Sequence, residues 1–156
     1  MIVVADTSPL NYLILIDQIR ILSQMYGRIA IPTAVQDEML RQEAPPQVRE
    51  WAANPPEWVE IHRPQTAVPF FDKDLDIGES EAISLALQLK APIIIIDETV
   101  GRREAQAHGL RVIGTLGILR DAHALNLLDL KTAIERLKTT SFRIPAAILP
   151  ELLRQE

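Results

Sequence analysis

Short apolar runs alternate along the chain with longer segments whose apolar residues recur at helical spacing. The runs at 2–5 and 93–96 contain no alternating polar residues, which is typical of strands covered on both faces. Further strands are predicted at 28–31, 58–61 and 111–113. Because helical segments separate these strands, the pattern predicts an α/β fold with a parallel sheet between helices.

Capping residues, prolines and glycines indicate where the helices begin. Ser8 and Pro9 predict an N-cap and a first helical residue, opening a helix through about residue 17, with a continuation to residue 25 left open. Thr33 and Gln36 have the spacing of a capping box for the next helix. Further helices are predicted at 47–53, 78–89 and 99–108, and the chain from 115 onward is predicted to be helical.

The whole chain, residues 1–156, is expected to form a single domain. Its length, 47% apolar content and 24% charged content are ordinary for a compact domain with a proper core. Six of the 11 prolines lie between residues 44 and 71, and this proline-rich segment is the part best suited to flexibility or to a partner. A helical tail is expected from about residue 129.

Composition excludes several classes of protein. The absence of cysteine excludes disulfides, a thiolate zinc site and a cysteine nucleophile. The apolar run 93–96 is too short to cross a bilayer, and the first residues lack a basic region or cleavage site, so we expect a cytoplasmic protein without a membrane partner. The net charge of −5 disfavours a non-specific nucleic-acid coat, but a nuclease remains possible if basic side chains lie near its cleft.

Two aspartates are expected at one edge of the sheet. Asp6 and Asp97 each follow an apolar strand directly. In parallel sheets, sites lie at the carboxyl ends of the strands, so both side chains are expected at the same edge. Either aspartate taken alone would also be explained as a cap for the helix that follows it.

Helical phase predicts that two glutamates point toward the same place. Glu79 has apolar residues three, four and seven positions later, whereas Glu81 shares its face with polar residues and is predicted to point outward. Glu38 follows an apolar stripe at spacings of three, four and seven, and Asp37 falls off that stripe. Each glutamate alone would also be explained by snorkelling, or by pairing with an arginine such as Arg102.

Four inward carboxylates favour one shared site over four separate explanations. Like charges in one pocket destabilise each other unless a cation neutralises them. Oxygen ligands without histidine or cysteine suit Mg²⁺ or Mn²⁺. The sequence therefore predicts metal-assisted chemistry on a phosphodiester.

Five stretches of the chain, in this order, together resemble a PIN-domain protein, especially prokaryotic VapC-type toxins. They read VVADTSPL at 3–10, IPTAVQDE at 31–38, GESEAI at 78–83, IID at 95–97 and VIGTLGIL at 112–119. The resemblance extends from residue 2 to about residue 128. It implies a three-layer α/β/α fold with a central, mostly parallel sheet, a Mg²⁺- or Mn²⁺-dependent endoribonuclease activity on RNA, and a small antitoxin partner. A homodimer is expected from the resemblance and from the apolar helices.

The resemblance also implies which residues form the site. The family's acidic quartet falls on Asp6, Glu38, Glu79 and Asp97, and auxiliary candidates are Thr7, Ser8, Glu98 and Arg102. Asp6 and Asp97 are expected to bind metal directly, Glu79 directly or through water, and Glu38 to orient water as the outer member. Water is then the nucleophile. Many PIN domains have aspartate at the third place, where Glu79 is one methylene longer.

Three function classes remain open. The first is a metal-dependent ribonuclease that acts as the toxin of a toxin–antitoxin pair. The second is a phosphatase of the haloacid-dehalogenase type, which also has an aspartate after its first strand but needs another where this chain has Ser8. The third is a non-catalytic binding module with a PIN-like fold whose acids no longer hold metal.

Overall fold

A computed structural model describes residues 2–65 and 74–154. Within those residues, five strands form one sheet: β1 (Ile2–Ala5), β2 (Arg28–Pro32), β3 (Val59–His62), β4 (Ile94–Ile95) and β5 (Val112–Ile113). The strand order is β3-β2-β1-β4-β5, and all four pairs are parallel. β1 therefore occupies the centre of the sheet, with β2 on one side and β4 on the other.

Helices connect the strands and cover both faces of the sheet. They are α1 (Thr7–Leu15), α2 (Ile21–Tyr26), α3 (Thr33–Met39), α4 (Pro46–Ala53), α5 (Ile77–Leu89), α6 (Thr99–Ala107), α7 (Thr115–Ala124), α8 (Leu130–Leu137) and α9 (Leu149–Leu153). Val3 and Val4 are both fully buried, and they face separate hydrophobic clusters on the two sides of the sheet. The cluster around Val4 contains side chains of α5 and α6, whereas most other helices contribute to the cluster around Val3. The predicted three-layer α/β/α fold is confirmed.

The predicted start of the first helix is wrong, and the continuation to residue 25, which the sequence leaves open, is not found. α1 begins at Thr7, one residue before the predicted cap Ser8, and Asp6 occupies the N-cap position without a side-chain capping bond. The helix does not continue to residue 25, because Asp17 adopts a φ of 60° between α1 and α2. Aspartate is one of the few residues other than glycine that adopts this left-handed conformation readily. Because the Asp6 side chain does not cap α1, its carboxylate remains available at the edge of the sheet.

Much of the proline-rich segment matches its predicted elements. α4 lies at the predicted helix 47–53, and β3 lies within one residue of the predicted strand 58–61. Residues 66–71 of this segment fall outside the described ranges, as do residues at both ends of the chain. The C-terminal part is helical in α7, α8 and α9, as predicted. No helix within 2–65 or 74–154 is long and apolar enough to span a membrane.

The N-terminus of α3 is held by a residue of another helix. Glu81 of α5 accepts hydrogen bonds from the Thr33 hydroxyl at 3.3 Å and from the Ala34 N–H at 3.1 Å. The capping box predicted between Thr33 and Gln36 is wrong, since the Gln36 amide donates to the Ala52 carbonyl instead. The predicted outward position of Glu81 is also wrong. Periodicity alone does not register that α3 packs beside this face of α5.

Glu81→Ala is expected to lower the free energy of unfolding by about 1–2 kcal/mol, because it leaves the partly buried Ala34 N–H without an acceptor. Glu81→Gln retains one acceptor oxygen and should lose less. Chemical denaturation measures the difference, with Glu135→Ala on the exposed surface of α8 as the matched control. A loss of stability in the Glu81→Ala protein no larger than the control's would contradict the assignment.

Candidate functional site

Two of the four expected carboxylates follow neighbouring strands and lie at the carboxyl edge of the sheet. Ala5 of β1 is opposite Ile95 of β4, and the Asp6 N–H donates to the Ile95 carbonyl at 2.9 Å. Asp97 comes two residues after Ile95. The side chains of Asp6 and Asp97 therefore leave the sheet at the same edge, as expected.

Asp6 is a buried carboxylate with other acids around it. Only 4% of the residue is exposed. Burial raises its pKa from 3.8 to about 8, the backbone N–H of Thr7 opposes this, and the charges of Asp76, Glu79 and Glu38 raise it further. Asp6 is consequently costly to ionise unless positive charge is brought to it.

Glu79 is buried at the start of α5, where it forms half of a capping box. Its Oε1 accepts from the Asp76 N–H at 3.2 Å, and Asp76 Oδ1 accepts from the Glu79 N–H at 2.7 Å. The other oxygen, Oε2, is buried and has no hydrogen-bond partner among residues 2–65 and 74–154. Burial first, and then the charges of Asp76 and Glu98, raise the pKa of Glu79 to about 7. An unpartnered buried carboxylate oxygen is unfavourable for folding and suits a role as a cation ligand.

Glu38 reaches this site from α3 and is held there by Thr7. The Thr7 hydroxyl donates to Glu38 Oε2 at 2.5 Å, which ties α3 to the first residue of α1. Glu38 Oε1 packs over the backbone of Gly78, where the methyl of an alanine would overlap it. The glycine before Glu79 thus gives Glu38 room beside it.

Asp97 is fixed by the start of α7. Its Oδ1 accepts from the Thr115 N–H at 2.8 Å, and its Oδ2 accepts from the Thr115 hydroxyl at 2.7 Å. Within the described residues, Asp97 makes no ion pair with Arg102 or with any other arginine. Asp97 does not cap the helix that follows it, because Glu98 occupies the N-cap position of α6.

The expectation of one compact cluster of four acids needs correction. Asp6, Glu38 and Glu79 lie within electrostatic reach of one another, whereas Asp97 is bound to Thr115 at the same edge. In the part of the chain that the structure describes, no three histidine, aspartate or glutamate side chains converge closely enough to hold one ion together. The strands and helices set the direction of each acid, but hydrogen bonds to Thr7, Asp76 and Thr115 set its final position.

The chemistry of the donors nevertheless fits a hard divalent cation. Mg²⁺ commonly uses one or two carboxylates and keeps several waters, so it needs no cage of three protein ligands. Asp6 and Glu79 supply two buried oxygen donors, one of them unpartnered, whose raised pKa values a cation would lower. Asp97 keeps capacity for a ligand as well, because each carboxylate oxygen accepts more than one bond.

Sequence reasoning missed two residues that shape the site. Asp76 has a readable signal, since aspartate three residues before Glu79 is the spacing of a capping box. Thr115 lies in the stretch VIGTLGIL, but nothing in that stretch indicates its partner Asp97, which is 18 residues away. Among the auxiliary candidates, Thr7 contacts Glu38, Glu98 is exposed near Glu79, and Ser8 and Arg102 line a groove beside Asp97.

Comparison with known proteins identifies the family. The family described as DUF3368, PIN domain, matches residues 2–156. The chain belongs to this PIN-domain family. PIN domains are generally nucleases that use divalent metal ions.

The fold of this PIN domain is also found in a solved structure. A PilT N-terminus domain protein from the hyperthermophilic archaeon Sulfolobus solfataricus superposes with a TM-score of 0.58 at 19% sequence identity. The alignment covers 78% of this chain and 93% of the archaeal one. No curated protein matches the sequence significantly. The narrower resemblance to VapC-type toxins stays a prediction.

In the absence of divalent ions, the free energy of unfolding should fall as pH rises from about 4 to about 8. The folded state keeps protons on Asp6 and Glu79, whose pKa values are raised to about 8 and about 7, whereas the unfolded chain releases them near 3.8 and 4.5. Asp6→Asn should remove much of this loss and exceed the wild type by more than about 1 kcal/mol above pH 8. Denaturation in EDTA across this pH range measures it.

The exposed Asp37, beside Glu38, provides the matched control for that experiment. Asp37→Asn should leave the pH dependence unchanged, and Mn²⁺ should restore wild-type stability at high pH. Parallel pH profiles for the wild type and the Asp6→Asn protein would show that Asp6 is not the buried acid responsible.

Proposed function

We propose that this PIN-domain protein is a Mg²⁺- or Mn²⁺-dependent endoribonuclease that hydrolyses RNA phosphodiester bonds. The observation that carries the proposal is the buried pair Asp6 and Glu79 at the carboxyl edge of the sheet, with one carboxylate oxygen left unpartnered. Burying these acids together lowers the free energy of unfolding, and a bound cation would raise it again. Membership of the PIN-domain family supports a nuclease.

The side chains have separate roles in the proposed reaction. Asp6, Glu79 and Asp97 would hold the metal, directly or through water. When bound, the ion would polarise the scissile phosphate and lower the pKa of a water molecule. Glu38 uses Oε2 to accept from Thr7, so its Oε1 remains to orient the attacking water. No nucleophilic side chain is required.

Asp6→Asn and Asp97→Asn should each reduce RNA cleavage by on the order of 100-fold or more, because each removes a charged oxygen from the metal site. Cleavage of a labelled RNA in Mn²⁺ is followed by gel electrophoresis, and EDTA should abolish it. Asp37→Asn, which changes the charge equally at an exposed position, should remain active.

The outcome of that assay separates the remaining function classes. Cleavage that persists in EDTA or in the Asp6→Asn protein would contradict the proposal. A wild type that neither cleaves RNA nor is stabilised by millimolar Mn²⁺ would point to a non-catalytic binding module. A phosphoaspartate trapped at Asp6 would instead support the phosphatase.

We also propose that the ribonuclease acts as the toxin of a toxin–antitoxin pair, which the resemblance to VapC-type proteins supports. Induced expression in a bacterial host without the antitoxin should arrest growth, whereas expression of the Asp6→Asn protein at the same level should not. Equal growth of the two strains would contradict the toxin role. The homodimer and the cytoplasmic location stay predictions.

A further inference from the structure

A groove of about 790 Å³ has Asp97 in its wall. α1, α6, α7 and the segment before and within α9 contribute to its walls. Three arginines line it from three different parts of the chain: Arg102 on α6, Arg120 on α7 and Arg143 before α9. Two acids, Asp97 and Glu98, line the same groove, so its arginines outnumber its carboxylates by one although the whole chain has a net charge of −5.

The guanidinium groups of this groove have few carboxylate partners. Within residues 2–65 and 74–154, neither Arg102 nor Arg143 forms an ion pair. Arg120 pairs with Asp121 at 3.2 Å, but both side chains are 43% exposed, and such a pair contributes little. The arginines therefore keep donors for an anion that enters the groove.

Arg102 connects the groove with the acidic site. A methyl group at Gly114 would lie 2.7 Å from Arg102 Nη1 and 2.8 Å from Asp97 Oδ1, so both side chains border the same glycine. They do so without pairing to each other. A phosphate bound by Arg102 would consequently lie next to Asp97.

The same groove contains an aromatic pair. The rings of Tyr12 and Phe142 pack edge to face, with centroids 5.0 Å apart and planes at 82°. The Tyr12 hydroxyl lies 2.9 Å from Ser141 Oγ, which fixes the orientation of the phenol ring. Aromatic rings beside arginines are the combination that binds single-stranded nucleic acid, because unpaired bases contact the rings while phosphates contact the cations.

We propose that this groove binds a single strand of RNA, with Arg102, Arg120 and Arg143 on its phosphates and one phosphate delivered beside Asp97. This inference rests on the proposed ribonuclease function and adds the path of its substrate. An acidic protein segment is the competing occupant. RNA is favoured because the planar guanidinium fork matches phosphate, and because the groove combines cations with rings and continues to the acids.

Binding is measured by fluorescence anisotropy of a labelled single-stranded RNA of about 12 nucleotides. EDTA is present so that no cleavage occurs. Arg102→Gln, Arg120→Gln and Arg143→Gln should each weaken binding about fivefold at about 0.1 M salt, and each should lower the slope of log Kd against log salt by about 0.7. Arg103→Gln is the matched control, because Arg103 is exposed on α6 next to Arg102 and does not line the groove.

Equal weakening by all four substitutions would overturn the proposal, since it would reflect total charge and not the groove. Wild-type protein that binds no RNA at low salt, or that binds a polyglutamate peptide through the same arginines in preference to RNA, would also overturn it. Thermal unfolding verifies that each variant is folded.

The two proposals fail in distinguishable ways. If the Asp6→Asn protein binds RNA through the groove but the wild type never cleaves it, the proposed RNA groove is supported and the proposed nuclease activity is contradicted. If the wild type cleaves RNA and the groove variants bind like the Arg103→Gln control, the nuclease activity is supported and the RNA groove is contradicted.

Discussion

Everything at the site depends on the burial of two carboxylates, one directly after the central strand β1 and the other at the start of α5. Asp6 and Glu79 are 4% and 5% exposed, and burial is the largest cause of the raised pKa of each. A carboxylate in a polypeptide interior is tolerated as a protonated group or beside a compensating charge. Protonation of these two carboxylates and binding of a cation to them are therefore alternatives. Metal binding is expected to release protons.

Hydrogen bonds to the carboxylates give the site its geometry, and two of the acids use only one oxygen in them. Glu79 uses Oε1 in a capping box with Asp76, and Glu38 uses Oε2 to accept from Thr7. In both cases the second oxygen remains for another interaction. Asp97 differs, because Thr115 donates to both of its oxygens. Positioning of this kind limits the reorganisation needed when substrate and cation bind.

Local patterns in the sequence predicted the sheet, most helices and the direction of the main acids. Apolar runs followed directly by aspartate place Asp6 and Asp97 at one edge, and helical phase correctly placed Glu79 inside. Two of the failures have one physical origin, since Glu81 and Thr115 find partners in elements distant along the chain, whereas the start of the first helix and the capping box of Asp76 were misjudged locally. The same holds for the groove, which Arg102 and Arg143 line together although they are 41 positions apart in the chain.

Gly78 affects the position of a site carboxylate more than it affects the fold. An alanine methyl at this position would meet the flexible end of the Glu38 side chain, whose Oε1 lies over the glycine. The carboxylate of Glu38 would have to move to make room for the methyl group, whereas no backbone atom would. The feature that this glycine protects is therefore the position of the Glu38 carboxylate beside Glu79.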